Sequence, residues 1–258
     1  MINTCAFDML VQVLSNAYAC SEEYQNFTNA AKNTYKLFEI IANLVRDQVT
    51  VQTYRKRALL LNQIFKSRPG KMKNHFITDT RTTVTYLAST LLRKWPSAEE
   101  IRSCNSCSRK VRRPRTIMTL NIDLHQIDFA SAITETLYSS AKVCESDECG
   151  STDVVVDVVP GKQLLFETAT TKKPYDLICK FENITKDILI TGKKYFLREI
   201  IEFRAPNSDD VSAMGHYVAH CWDTNRMIFE TIDDLLKDTK LQKERNSTGR
   251  CQLIIYSV

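Results

Sequence analysis

The chain reads as an α+β protein. Apolar residues recur at three- and four-residue spacing through the first hundred residues, then alternate in short runs from about residue 104 onward. Helices first and strands afterward predict a segregated α+β fold rather than an alternating α/β one. With only 6 Gly and 6 Pro in 258 residues, no low-complexity tract or flexible linker divides the chain, and no internal repeat appears.

The first helix is predicted over residues 5–20, where Phe7, Leu10, Val11, Leu14, Ala17 and Tyr18 form one stripe. A second spans residues 35–45 on Phe38, Ile41, Leu44 and Val45, and a third covers residues 54–65. Val84, Leu87, Leu91, Leu92 and Trp95 mark a fourth, which Pro96 stops. SRPGK, residues 67–71, is a loop between the last two. TIMTLNIDL (residues 116–124) then alternates like a strand, FASAITETL (129–137) is a short helix, and DVVVDVV (153–159) is strand again before Pro160-Gly161. Strand-like runs follow: QLLFET, YDLICKF, DILITG, YFLREIIEF, GHYVAHCW and RMIFETI.

Hydrophobic residues at 43% and charged residues at 25% are ordinary for a globular chain. No apolar run approaches the ~20 residues of a membrane span, and the N-terminus lacks the basic and apolar regions of a signal peptide. Nine cysteines, an odd and scattered set, argue against a disulfide scaffold and for an intracellular, reducing compartment. There the glycosylation-type triplets at Asn26, Asn183 and Asn246 read as chance. The net charge of +5 is densest in RKVRRPR, residues 109–115, which reads as a solvated basic turn on a strand edge. Without interleaved aromatic residues or a known module, nucleic-acid binding through it is unsupported.

Four of the cysteines come as two close pairs. CNSC separates Cys104 from Cys107 by two residues, and CESDEC separates Cys144 from Cys149 by four. Both intervals let neighbouring thiolates reach one tetrahedral zinc ion, and four thiolates leave no position for water, so such a metal would be structural.

Cys5 stands just ahead of the first apolar stripe, with Asn3 or Thr4 as the helix cap. In a helix's first turn, backbone N–H groups and the macrodipole favour a thiolate, the form that acts as a nucleophile once an imidazole is adjacent. GHYVAHCW offers two histidines on one face, His216 and His220. A two-residue turn at Thr224-Asn225 sets His216 directly opposite Asp233, close enough for the carboxylate to fix the imidazole's tautomer. In the same register His220 faces Phe229 and has no carboxylate opposite, which makes it the poorer base; a three-residue loop would shift the partner of His216 to Ile232 or Asp234.

NTCAFDMLVQ, with Gln12 seven residues after Cys5, resembles the cysteine box of ubiquitin-specific proteases. GHYVAHCW through IDD resembles that family's histidine box, with Asp233 seventeen residues after His216. The split cysteine pairs are similar to its zinc ribbon. The resemblance implies a papain-like cysteine protease fold: a helical thumb (1–98), zinc-ribbon fingers (99–160) and an antiparallel β palm (161–258) in one catalytic domain. It implies hydrolysis after the C-terminal glycine of ubiquitin or a ubiquitin-like modifier, with Cys5 attacking, His216 moving the proton and Asp233 orienting it. Three departures mark a divergent member. The family's oxyanion Asn lies five residues before the cysteine, a position ahead of the first residue here, so either the chain is trimmed or Asn3 and the Cys5 backbone N–H serve instead. RTTVTY (residues 81–86) stands where the family's Q-Q-D-x-x-E holds the modifier's tail, and Asp8 replaces an Asn. A silent modifier-binding module of the same fold and a zinc-ribbon nucleic-acid binder are the alternatives.

Overall fold

The computed structural model describes residues 1–70, 76–121, 129–138, 143–169, 178–204, 215–233, 235 and 239–258. Its helices are α1 (Cys5–Cys20), α2 (Glu22–Ala31), α3 (Lys36–Asp47), α4 (Val51–Leu61), α5 (Val84–Leu91) and α6 (Phe129–Tyr138). The strands of the N-terminal half are β1 (Ser67–Pro69), β2 (Phe76–Thr78), β3 (Ala98–Cys104), β4 (Lys110–Arg115) and β5 (Met118–Asn121). They continue as β6 (Val154–Pro160), β7 (Gln163–Ala169), β8 (Cys179–Lys180), β9 (Asp187–Ile190) and β10 (Lys193–Arg204). The last are β11 (His216–Asp223), β12 (Ile228–Ile232), β13 (Lys240–Lys243), β14 (Thr248–Gly249) and β15 (Cys251–Ser257). Helices and strands segregate along the chain as the periodicity predicts.

The large sheet runs β13-β12-β11-β10-β15-β7-β5, with β9 also on β10. All of its pairings are antiparallel except β5 on β7. β5 therefore joins this sheet although it lies between the two cysteine pairs in sequence. A separate three-stranded sheet, β4-β3-β6, carries those pairs at its end.

The centre of the molecule is α1. It packs against α2, α3 and α5 and against β10 and β11, and Phe7, Leu10, Val13, Leu14 and Ala17 are essentially inaccessible. A helix apolar on more than one face is one enclosed by the fold. A Tyr35, Phe38 and Trp95 cluster ties α3 to the end of α5.

Several assignments change. α2 has no predicted counterpart: it buries Tyr24, Thr28 and Ala31, too polar and small a stripe to stand out, while Ser21 caps it by accepting from the Tyr24 N–H. β15 is equally unannounced, because a strand buried on both faces reads as a continuous apolar run. The SRPGK loop begins as β1, an exposed strand paired with β2. YDLICKF supplies only the short β8 and a 3-10 turn at Phe181–Asn183; its first three residues, like the end of TIMTLNIDL, lie outside the described residues. RKVRRPR is an edge strand rather than a turn. Among the described residues no helix is long and apolar enough to cross a membrane.

Candidate functional site

Cys5 is the first residue of α1, behind Thr4, which caps the helix with backbone alone. The Thr4 carbonyl accepts from the N–H groups of Phe7 and Asp8, while its hydroxyl donates to Asp8 Oδ2 at 2.6 Å. Arg57 in turn donates to Asp8 Oδ1 at 2.7 Å, so the helix start is anchored to α4. The residues ahead of it are stitched to the segment after β2: Ile2 bridges Asp79, and the Thr80 hydroxyl donates to the Asn3 carbonyl at 2.8 Å. Asn3 has φ 62, a left-handed conformation that Asn tolerates, and its Nδ2 donates to Asp79 Oδ1 at 3.0 Å. One amide hydrogen of Asn3 is thus committed to holding the side chain in place.

Asn3 and Cys5 line a cavity of about 260 Å³ together with Arg81, Thr82, Thr83 and the aromatic pair Phe203 and Tyr217. Gly215 completes that wall. A Cβ there would stand 2.1 Å from the Phe203 ring, so only glycine fits. RTTVTY therefore borders the Cys5 cavity through its first three residues. Asp79 receives both the Arg81 guanidinium and the Asn3 amide, and these bonds hold its carboxyl down at about 2.

His216 follows Gly215 directly and opens β11. Its Nε2 lies 2.8 Å from Asp233 Oδ1. An ionised carboxylate only accepts, so the proton sits on Nε2 and the neutral ring keeps its basic lone pair on Nδ1. Burial raises the Asp233 carboxyl, but bonds from His216 and the Leu235 N–H and the Arg204 charge outweigh it, and the net shift is downward. The contact arises in a different register from the expected one. Four residues, 224–227, form the turn, Met227 takes φ 54, and Asp223 pairs with Ile228. This slips the ladder by two residues, which preserves the face. Asp233 meets His216 diagonally from one residue past the end of β12, not from directly opposite. Asp234 lies outside the described residues.

His220 requires a correction. It pairs with Thr231 on β12, not Phe229, and a carboxylate does reach it from the other neighbouring strand: Glu202 Oε2 lies 3.1 Å from Nε2. Thr231 Oγ1 is 3.0 Å from Nδ1, the Phe181 ring packs against the imidazole edge, and the residue is 2% exposed. Both ring nitrogens are engaged in the interior. Burial, not lack of a carboxylate, makes His220 unfit as a base. The hairpin gave no signal of this, because Glu202 belongs to β10.

The four paired cysteines converge at the end of the small sheet. Their Sγ atoms all lie within 4.8 Å of one another, with Cys104–Cys149 at 3.8 Å and Cys107–Cys144 at 3.5 Å. Ligands about 2.3 Å from a tetrahedral zinc stand roughly 3.8 Å apart, so the cage fits one such ion. Two matching turns build it. Ser108 (φ 57) and Gly150 (φ 56) each follow the second cysteine of a pair in left-handed conformation. Cys104 N–H donates to the Arg109 carbonyl, and Cys144 N–H to that of Ser151. The Cys107 N–H, directed at Cys104 sulfur, outweighs burial and, with the Ser106 N–H, lowers that thiol to about 6.

The basic strand beside the cage is largely neutralised. Arg112 pairs with Glu99 and Arg113 with Glu145, while Arg115 reaches Glu100 and the Thr136 carbonyl.

No family model matches the chain. A 120.7 kDa protein in the NOF-FB transposable element of Drosophila melanogaster is 21% identical over 272 aligned positions. That match covers 99% of this chain but 24% of the relative, so the chain spans about a quarter of its length. Among solved structures, the Saccharomyces cerevisiae PAN2 pseudoubiquitin-hydrolase superposes with a TM-score of 0.54 at 11% identity. It covers 98% of this chain and 84% of that one. The chain therefore shares the overall fold of that pseudoubiquitin-hydrolase. An essential yeast splicing factor also matches, at TM-score 0.40 and 12% identity over 86% of this chain and 53% of its own, too distant to bear on the fold.

Proposed function

We propose that the chain is a cysteine hydrolase of the ubiquitin-specific protease type. It would cleave the bond after the C-terminal glycine of ubiquitin or a ubiquitin-like modifier. The observation that carries this reading is the His216–Asp233 hydrogen bond, made next to a cavity that Cys5 lines. In the proposed cycle His216 Nδ1 takes the Cys5 thiol proton as sulfur attacks the glycine carbonyl. Collapse of the tetrahedral intermediate returns that proton to the leaving amine and leaves a thioester. Water, deprotonated by the same imidazole, then attacks the thioester and frees the carboxylate, and the imidazolium returns its proton to the departing Cys5 sulfur. The second Nδ2 hydrogen of Asn3 and the Cys5 N–H are the oxyanion donors in this scheme. Zinc fills the four-thiolate cage in a purely structural role, and an intracellular, reducing setting keeps the cysteines free of disulfides.

The similarity to a PAN2 domain that is a pseudoubiquitin-hydrolase favours a second reading, a modifier-binding domain without turnover. Hydrolysis of C-terminal fluorogenic amides of ubiquitin and related modifiers separates the two. Turnover that Cys5→Ala abolishes supports the enzyme; saturable binding with no turnover supports the silent module. Nucleic-acid binding through the basic strand draws little support from a surface so balanced by Glu99, Glu100 and Glu145. It would show as a steep salt dependence of affinity.

A further inference from the structure

We infer that Arg204 is a positioning residue for the His216–Asp233 pair, and that it links this pair electrostatically to the buried His220. The inference rests on the proposed role of His216 as base, but it is read out independently of turnover.

The geometry is a chain of four contacts on one face of the large sheet. His220 Nε2 lies 3.1 Å from Glu202 Oε2, and Arg204 Nε donates to the same oxygen at 3.1 Å. Arg204 Nη1 then donates to Asp233 Oδ2 at 3.1 Å, and Asp233 Oδ1 meets His216 Nε2 at 2.8 Å. Arg204 is directly opposite His216 in the β10–β11 ladder. Each histidine thus takes a carboxylate from outside its own strand, Glu202 on β10 and Asp233 just beyond β12, and the one guanidinium bridges the two carboxylates. A planar fork of fixed donors suits that task, since it sets the spacing of both acceptors at once.

The consequence for His216 follows from charge. Asp233 uses one oxygen to hold the imidazole and the other to meet Arg204. The side chain of Asp233 is only 8% exposed, so its charge is poorly screened, whereas that of Arg204 is 42% exposed. With the guanidinium present, part of the carboxylate's field is spent on Arg204 and less is felt by an imidazolium. Among the described residues, the charged groups joined to the pair by these contacts are Glu202 and Arg204 on β10 and His220 on β11. Cys5, at the start of α1, lines the neighbouring cavity, whose wall includes Gly215 and Tyr217 on either side of His216.

The test is an NMR pH titration of the imidazole Cε1–H resonances in the full chain. With only four histidines, His216 and His220 are assigned by the loss of their signals in His216→Ala and His220→Gln. Arg204→Gln is expected to raise the His216 midpoint by roughly half a unit, about a threefold change in proton affinity for a part-exposed charge. The His220 midpoint is expected to rise with it, through Glu202. Arg204→Lys keeps the charge and should restore both midpoints, while turnover recovers only in part because the fork is lost. Glu202→Gln should move the His216 midpoint the opposite way, downward, since it removes a carboxylate and leaves Arg204 wholly to Asp233. A merely structural arginine would alter the melting temperature without this pattern of opposite signs. An unchanged His216 midpoint in both Arg204→Gln and Glu202→Gln would overturn the inference, even in a chain whose turnover depends on Cys5. Conversely, shifted midpoints in a chain with no Cys5-dependent turnover would uphold the linkage and remove the proposed function.

Discussion

Asp233 holds His216 from one residue beyond the end of its strand, with 2.8 Å between carboxylate and imidazole. The carboxylate fixes the ring's tautomer and accepts Arg204 and the Leu235 N–H as well. Asp233→Ala is therefore expected to lower turnover of a fluorogenic modifier substrate while the fold persists. His216→Ala should cost more, about 10²–10⁴-fold, because it removes the base itself. Steady-state kinetics on the two variants check the order; a His216→Ala enzyme faster than Asp233→Ala would contradict it.

His220→Ala should act on stability instead. Removing the ring leaves Glu202 with Arg204 alone and the Thr231 hydroxyl with only a long contact to Gln242, beside the space of a lost buried side chain, at a cost of about 1–3 kcal/mol. Urea denaturation is expected to show a lower midpoint. Activity per folded molecule should remain within a few-fold of the parent, and its loss in a fully folded variant would point to the wrong histidine.

The cysteine cage predicts one bound metal per chain, with zinc expected from elemental analysis of protein prepared without chelators. Cys104→Ser or Cys149→Ser should lose it and melt at lower temperature, since the two turns have little core of their own. Purified chain with four intact cysteines, no metal and unchanged melting in strong chelator would remove the structural role.

Stability should also depend on pH through Glu199. This carboxyl is fully buried beneath α1, and burial raises it to about 8, against lowering by nearby Cys221, Asn16 and the Arg198 charge; neither of its oxygens has a well-formed hydrogen bond. Its folded value exceeds its unfolded value, so the unfolded chain binds fewer protons between about pH 4.5 and 8. Its contribution therefore falls as pH rises through that window and stays low above it. Glu199→Gln should flatten this part of the stability–pH curve and stabilise the chain at pH 8. An unchanged slope would show that the carboxyl is ionised or solvated in the folded state.

Much of this was legible in the sequence where local periodicity decides the structure. The stripe from Phe7 to Tyr18 announces α1, and the spacing of Cys104, Cys107, Cys144 and Cys149 announces the cage. Relations set at a distance were harder to read. The β11–β12 register hinged on whether the turn held two residues or four, and only an even slip kept Asp233 on the His216 face. Glu202 and Arg204 were invisible because β10 joins β11 through residues 205–214, whose length fixes no register. The partnership of Asn3 and Asp79 spans 76 positions and depends on β2 bringing the second segment beside the first. α2 escaped for a chemical reason: a stripe of Tyr24, Thr28 and Ala31 buries well but scarcely differs in hydropathy from its surroundings.

The most direct test of the central claim is covalent labelling by modifier probes that carry a C-terminal electrophile. Ubiquitin and its relatives would be tried in parallel, with mass spectrometry to locate the adduct. One probe should attach at Cys5; Cys5→Ala should abolish that adduct, while Cys20→Ala and Cys221→Ala leave it intact. A modifier adduct that survives Cys5→Ala, or forms at another cysteine, would contradict the account.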